Sequence, residues 1–357
     1  MPPVGKSGPG IYSIRSEKSQ SGLSTRNLIA SLLCVCALLV SDFAQGQTNS
    51  KLKPNQTLLL YPEGQEVDKG LEGAQGPCVS NGWTKPEEIN PKGNIGNITE
   101  PAIDLYFPKK PNGQMVVVCP GGGYWIVSSY NEGVYVADWF LNQGISVCVV
   151  KYRLPYGHWE VPLTDVQNAF RYCRANAEKW GINQIGVIGF SAGGHLAASA
   201  TNLYVDDATR PDFSILIYPV ITMDWKYTHK GTRENLIGKD QKWNNKDVKV
   251  TEYEAAQAKH AELVERYSLE KQVTEQTPPS FIAHCTDDKT VPVENSLDYY
   301  RRLVECKVPA EMHIYPTGGH GWGFSSDKFV GKGKDKLGYA RKEFETSLSR
   351  WLEGLRK

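Results

Sequence analysis

Ile185-Gly186-Val187-Ile188-Gly189-Phe190-Ser191-Ala192-Gly193-Gly194-His195 decides the reading of this chain. Its first four residues are largely apolar, short enough for a buried strand, and run into Gly-x-Ser-x-Gly-Gly. Leu196-Ala197-Ala198-Ser199-Ala200 then opens a helix rich in small residues. This is the pattern of a nucleophile elbow, in which a serine sits on a sharp strand-to-helix turn. Such a turn strains the serine backbone, and the residues two before and two after it must be small for strand and helix to approach. Gly189 and Gly193 meet that demand. A helix beginning at Ala192 also aims its N-terminal dipole at charge developing beside Ser191.

Outward from the elbow, the chain alternates strand-like and helix-like segments. Met115-Val116-Val117-Val118-Cys119 is a continuous apolar run, suited to a strand buried on both faces. Ala102 to Phe107 alternates as a strand should, and Pro108 to Gly113 reads as the turn between the two. A helix from about Gly133 to Asn142, a strand from Ile145 to Val150 and an amphipathic helix from Pro162 to Trp180 follow. Beyond the elbow come strands at Phe213–Pro219, Pro279–Cys285 and Ala310–Tyr315, helices at Glu294–Val304 and about Lys336–Leu355, and a polar, Lys-rich helical stretch at 224–277. That order predicts a mostly parallel central sheet flanked by helices, with 224–277 as a small helical cap insertion. The insertion serves either as a lid over the site or only for solubility.

Three loops at strand ends carry chemistry. Pro120-Gly121-Gly122-Gly123-Tyr124-Trp125 ends its strand with three glycines, leaving uncovered backbone N–H groups of the kind an oxyanion needs, with the Ala192 amide as partner. Thr286-Asp287-Asp288-Lys289-Thr290-Val291-Pro292 offers two carboxylates to orient an imidazole. Asp288 is the better placed, and Asp287 reads as a loop brace. Thr317-Gly318-Gly319-His320-Gly321-Trp322-Gly323 holds the one histidine of seven on a Gly-rich loop downstream of the acid. His195 lies in the first turn behind the elbow and His284 inside a strand.

The N-terminus reads differently. Leu28 to Val40 is a charge-free, mostly apolar run of thirteen residues after Arg15, Lys18 and Arg26, and Phe43-Ala44-Gln45-Gly46 has small residues where signal peptidase cuts. The run is short for a bilayer span, so residues 1–46 read as a secretory signal and the product as secreted or periplasmic, with no membrane contact after cleavage. Residues 47–100, rich in Gly, Pro and Asn, read as an edge strand and a surface wrap. Residues 101–357 read as the main domain. Without residues 1–46 the chain keeps 36 of its 40 bases and 37 of its 39 acids, a balance that gives no electrostatic reason to bind nucleic acid. Six of eight cysteines remain: Cys78, Cys119, Cys148, Cys173, Cys285 and Cys306. Export would permit disulfides, but several lie in strand-like runs, where buried free thiols are the default.

Cys-Pro-Gly-Gly-Gly-Tyr at 119–124, Gly-Phe-Ser-Ala-Gly-Gly-His at 189–195, Asp-Asp-Lys-Thr-Val-Pro-Val-Glu-Asn-Ser at 287–296 and Gly-Gly-His-Gly-Trp-Gly at 318–323 together resemble the α/β-hydrolase superfamily. Within it the chain is most similar to secreted bacterial esterases of acylated plant polysaccharides, acetylxylan esterases among them, some labelled xylanase. The resemblance implies an α/β-hydrolase fold, with Ser191 as nucleophile, Asp288 as acid and His320 as base. It places the oxyanion donors at Gly122, Gly123 and Ala192. Pro120 departs from the family pattern, which begins this loop with His, so the loop must be held another way. The implied reaction is removal of an acyl group, most simply acetyl, from an oligo- or polysaccharide through an acyl-enzyme. Tyr124, Trp125 and Trp322 stand beside this machinery as sugar-stacking or core residues. No metal motif and no cofactor is implied. A serine peptidase or amidase of the same fold, and a non-catalytic sugar-binding module, are the competing readings.

Overall fold

Parallel β-strands that are buried on both faces fix this molecule's architecture. The computed structural model describes residues 52–61, 87–239 and 250–356, all within one compact unit. The expected signal segment and Cys78 lie outside the described residues. Strands run in chain order as β1 (Gln56–Leu59), β2 (Glu88–Ile89), β3 (Asn94–Gly96), β4 (Ala102–Tyr106), β5 (Gln114–Cys119), β6 (Val127–Ser128), β7 (Ser146–Lys151), β8 (Gln184–Phe190), β9 (Ser214–Ile217), β10 (Ser280–Cys285) and β11 (Ala310–Tyr315). The helices are α1 (Tyr135–Asn142), entered through a π-helical turn at Tyr130–Val134, then α2 (Glu160–Trp180), α3 (Ser191–Asn202), α4 (Lys230–Ile237), α5 (Val250–Tyr267), α6 (Glu294–Glu305), α7 (Asp327–Val330) and α8 (Arg341–Gly354).

Eight strands form one sheet in the order β1-β4-β7-β5-β8-β9-β10-β11. β1 and β4 pair antiparallel, as do β4 and β7, and every later pairing is parallel. The fold is that of an α/β-hydrolase. Every residue of β5, β7, β8 and β10 is buried, which is why these segments read as continuous apolar runs rather than alternating ones. Val116 and Val118 of β5, Val147 and Val149 of β7, and Ile188 and Phe190 of β8 share one cluster with Phe140 of α1 and Phe344, Leu348 and Leu352 of α8. Intervening residues turn to the other face, where Cys148 meets Cys173 of α2. The described cysteines are all free thiols, four buried and Cys306 half-buried.

Boundaries follow local chemistry. Gly181, at φ 65°, closes α2 in the left-handed conformation, its N–H reaching the Ala177 carbonyl. α8 begins at Arg341 rather than near Lys336. Asp335 accepts the Leu337 amide on its side chain at 2.9 Å and the Gly338 amide on its carbonyl at 3.0 Å, a turn that competes with helix. Part of the 47–100 segment supplies β2 and β3, which join β6 in a small three-stranded sheet separate from the main one. Among the described residues no helix is long and apolar enough to cross a membrane.

Register places the chemistry. Cys119 lies opposite Gly189 in the β5–β8 pair, Phe190 opposite Ile217 in β8–β9, and Cys285 opposite Tyr315 in β10–β11. The loops after β5, β8, β10 and β11 therefore leave one edge of the sheet together, the edge where such sheets form sites.

Candidate active site

Ser191 follows directly on β8 and begins α3, with φ at +53°, a left-handed value that is unfavourable for a residue with a side chain. Packing holds it there. A Cβ on Gly189 would stand 2.1 Å from the Gly193 carbonyl oxygen, and one on Gly193 would stand 2.1 Å from the Cys119 carbonyl oxygen. Strand, elbow and helix thus meet at a distance only glycine allows. The Ser191 carbonyl accepts the Val220 amide at 3.0 Å, fixing the turn to the end of β9.

His320 joins Ser191 to Asp288. Its Nδ1 lies 2.7 Å from Asp288 Oδ2 and its Nε2 lies 2.8 Å from Ser191 Oγ. A carboxylate only accepts, so Nδ1 carries the proton and Nε2 presents its lone pair to the serine hydroxyl. Asp288 is itself buried. Burial opposes its charge, but hydrogen bonds with His284 and His320, the His320 charge and the Val291 amide outweigh it and hold the carboxyl well below the usual range. The second oxygen, Oδ1, accepts the amides of Thr290 and Val291 at 2.8 and 3.0 Å. His284 on β10 supports the same carboxylate, with Nε2 3.3 Å from Oδ2 and Nδ1 2.8 Å from the Ser296 hydroxyl.

Asp287 points the other way and is exposed. Its Oδ1 accepts the Gly319 amide at 2.7 Å and its Oδ2 the Gly318 amide at 3.3 Å, so it braces the loop that presents His320. Lys336 adds a hydrogen bond to the His320 carbonyl at 2.7 Å. The Tyr218 ring packs against the imidazole at 4.8 Å between centroids.

The glycine loop has a hydrogen-bonded frame that compensates for Pro120. Tyr152 donates its hydroxyl to the Pro120 carbonyl at 2.6 Å, and Gly121 N–H donates to Glu132 Oε2 at 2.7 Å. Asn235, from the insertion, donates to the Gly123 carbonyl at 2.8 Å. The Gly122 and Gly123 amides have no hydrogen-bond partner among the described residues. Ala192 N–H, in the first turn of α3, has no carbonyl four residues back within that helix.

Glu132 and Tyr218 gave no signal as site residues in the sequence. Glu132 is buried, and desolvation raises its pKa against the hydrogen bonds it receives from Tyr218 and Gly121 and the pull of the His320 charge. Its Oε1 accepts the Tyr218 hydroxyl at 2.8 Å, and that hydroxyl in turn accepts the Gly323 amide at 2.8 Å. One carboxylate thereby links the glycine loop, the end of β9 and the histidine loop.

Of the three aromatic residues singled out, two are corrected. Tyr124 is 1% exposed and its hydroxyl lies 3.0 Å from His195 Nδ1, while Trp322 is wholly buried against Tyr218 and Phe344. Both are buried packing residues, Trp322 within the main core cluster and Tyr124 turned inward by a left-handed backbone at φ +56°. Trp125 is 63% exposed and stands on the rim of a cavity of about 810 Å³, with Tyr156, Asn97, Glu234 and Asn235 among its lining. Among the described residues no cluster of His, Cys, Asp and Glu is disposed to hold a metal ion.

Comparison with known proteins places the chain among esterases of this fold. The BD-FAE family model matches residues 103–303, which include the elbow and the acid loop. The chain is 39% identical over 237 residues to an acetylxylan esterase of Xylanibacter ruminicola, covering 65% of this chain and 46% of that protein. It is 33% identical over 288 residues to endo-1,4-beta-xylanase B of Butyrivibrio fibrisolvens, covering 75% and 42%. The chain thus spans less than half the length of these two relatives. The crystal structure of an acetyl ester-xyloside bifunctional hydrolase from Caldicellulosiruptor lactoaceticus superposes with a TM-score of 0.64 at 30% identity, covering 86% of this chain and 98% of that one. With the elbow and acid loop inside the matched span and the sheet order of an α/β-hydrolase around them, the chain belongs to the BD-FAE family.

Proposed function

We propose that this protein is a serine carboxylic-ester hydrolase that removes acyl groups, most simply acetyl, from xylan-type polysaccharides or their oligosaccharides. The observation that carries the reading is the unbroken chain Ser191 Oγ–His320 Nε2, His320 Nδ1–Asp288 Oδ2, at 2.8 and 2.7 Å. In the proposed reaction His320 Nε2 takes the Ser191 proton as Oγ attacks the ester carbonyl. Asp288 stabilises the imidazolium, and the amides of Gly122, Gly123 and Ala192 receive the oxyanion. His320 then protonates the departing sugar oxygen. Water, deprotonated by the same nitrogen, attacks the acyl-enzyme, and carboxylate and free Ser191 are restored.

The substrate class draws support from two independent sides. The relatives include an acetylxylan esterase and a xylanase, and beside the glycine loop, which Asn235 holds through the Gly123 carbonyl, lies a cavity lined by Asn97, Tyr156 and Asn235 with the exposed Trp125 on its rim. An exposed indole beside amide side chains suits the apolar face and hydroxyl edge of a pyranose. Ser191→Ala is expected to abolish both p-nitrophenyl acetate turnover and covalent labelling by a fluorophosphonate, with the fold retained by circular dichroism. Labelling that persists in this variant would overturn the triad, and wild-type protein that neither labels nor turns over would make the chain a binding module.

A further inference from the structure

His229 stands at the N-cap of α4, in the insertion, and its side chain does the capping. Nδ1 accepts the Thr232 amide at 3.2 Å and lies 2.8 Å from the Thr232 hydroxyl. A neutral imidazole has one accepting and one donating nitrogen, so a cap made through Nδ1 leaves the proton on Nε2. Asn, Asp, Ser and Thr make this cap better than His. What a histidine adds at this cap is a second nitrogen, on a ring that lies beside the glycine loop. Cε1, the carbon between the two nitrogens, would be 3.8 Å from a Cβ on Gly123, and the side chain is only partly buried. Desolvation, with the His320 charge, lowers its pKa against the opposing pull of Asp288, so the ring is neutral and still a donor at neutral pH.

We propose that His229 Nε2–H hydrogen-bonds an oxygen of the sugar that carries the ester, a hydroxyl or ring oxygen next to the esterified carbon, and so selects carbohydrate esters over simple alkyl esters. This rests on the esterase reading above and assigns the insertion a direct role in recognition. His229 moves no proton in the reaction; it is a specificity residue.

The two functions of the ring separate by substitution. Asn at 229 keeps a capping oxygen but is too short to bring a donor to the sugar, whereas Gln keeps a reaching N–H donor and caps poorly. We compare kcat/KM for acetylated xylobiose with kcat/KM for p-nitrophenyl acetate, and measure Tm. In His229→Asn, Tm is expected to stay within a few degrees of wild type while the ratio falls about tenfold, the worth of one hydrogen bond. His229→Gln is expected to lose Tm yet recover part of the ratio. A wild-type ratio in both variants overturns the proposal and leaves His229 a cap. A wild-type protein inactive on both esters overturns the esterase reading itself, and one active on p-nitrophenyl acetate alone overturns the carbohydrate substrate; either result removes the basis for His229.

Discussion

Two adjacent aspartates divide the work of one loop. Asp288 turns inward to His320 and is held by two amides, and Asp287 turns outward to the glycine amides ahead of His320. Asp288→Asn keeps the shape but presents an amide that can favour the wrong imidazole tautomer, so kcat on p-nitrophenyl acetate is expected to fall on the order of 10⁴-fold. Asp287→Ala loosens the loop without changing the tautomer and is expected to lower kcat by less than about tenfold while reducing thermal stability. Steady-state kinetics and melting curves on the two variants check both statements, and the reverse ranking would exchange the roles.

Between elements, buried polar groups join what the sheet alone would leave as separate loops. His195, in the first turn of α3, sits between the Tyr124 hydroxyl at 3.0 Å and the Tyr267 carbonyl at 2.8 Å, which ends α5 of the insertion. Nε2–H donates to that carbonyl and Nδ1 accepts from Tyr124. Burial lowers its pKa from 6.5 to about 4, against the smaller upward effect of the Tyr267 hydrogen bond. The sign follows from linkage. The unfolded chain takes up the proton first, so this contribution is complete above pH 6.5 and is lost as pH falls toward 4, by about 3 kcal/mol in all. Asp104 works oppositely in an overlapping window, since burial, opposed by its Thr57 bond and the Lys151 charge, lifts its pKa to about 6. Acid therefore adds stability through Asp104 as pH falls through 6 toward 3.8, and the difference between two proteins is the useful quantity. Between pH 6.5 and 4, urea-derived stability of wild type is expected to fall relative to His195→Gln. Parallel curves would mean that the fold leaves the proton affinity of His195 unchanged, and would overturn the burial argument.

At the scale of the molecule, the site joins the end of the parallel sheet to an insertion and to a second, smaller sheet. Trp125, on the loop between β5 and β6, meets Tyr156 edge to face at 6.3 Å across the cavity lining. Stacking of a sugar on one such ring is worth roughly 1 kcal/mol beyond area burial, about a fivefold preference. Trp125→Ala is expected to lower kcat/KM on acetylated xylo-oligosaccharides about fivefold more than on p-nitrophenyl acetate. Equal loss on both would make it a packing residue, and a preference for long-chain acyl esters would point to a lipase.

Residues 185–195 by themselves determined the elbow, because the steric demand of a strand turning into a helix is local and only small residues at fixed offsets satisfy it. The sheet was legible in the same way, since strands covered on both faces must be apolar throughout, as β5 and β8 are. Pairing of His320 with Asp288 rather than Asp287 could be ranked from the place of Asp288 three residues before Val291-Pro292, where the resemblance puts the acid, but direction was decided only when Val291 and Thr290 donated to one carboxylate and Gly319 to the other. The fate of the aromatic residues was beyond sequence altogether. Tyr124 and Trp125 are neighbours with the same local composition, yet a left-handed backbone at Tyr124 sends one ring into the core and leaves the other on the surface. Glu132, Tyr218 and His229 stayed silent for a related reason. Glu132 and Tyr218 meet across 86 residues, and the His229 ring, bonded locally to Thr232, comes beside Gly123; such juxtapositions exist only once the sheet register has set the loops side by side.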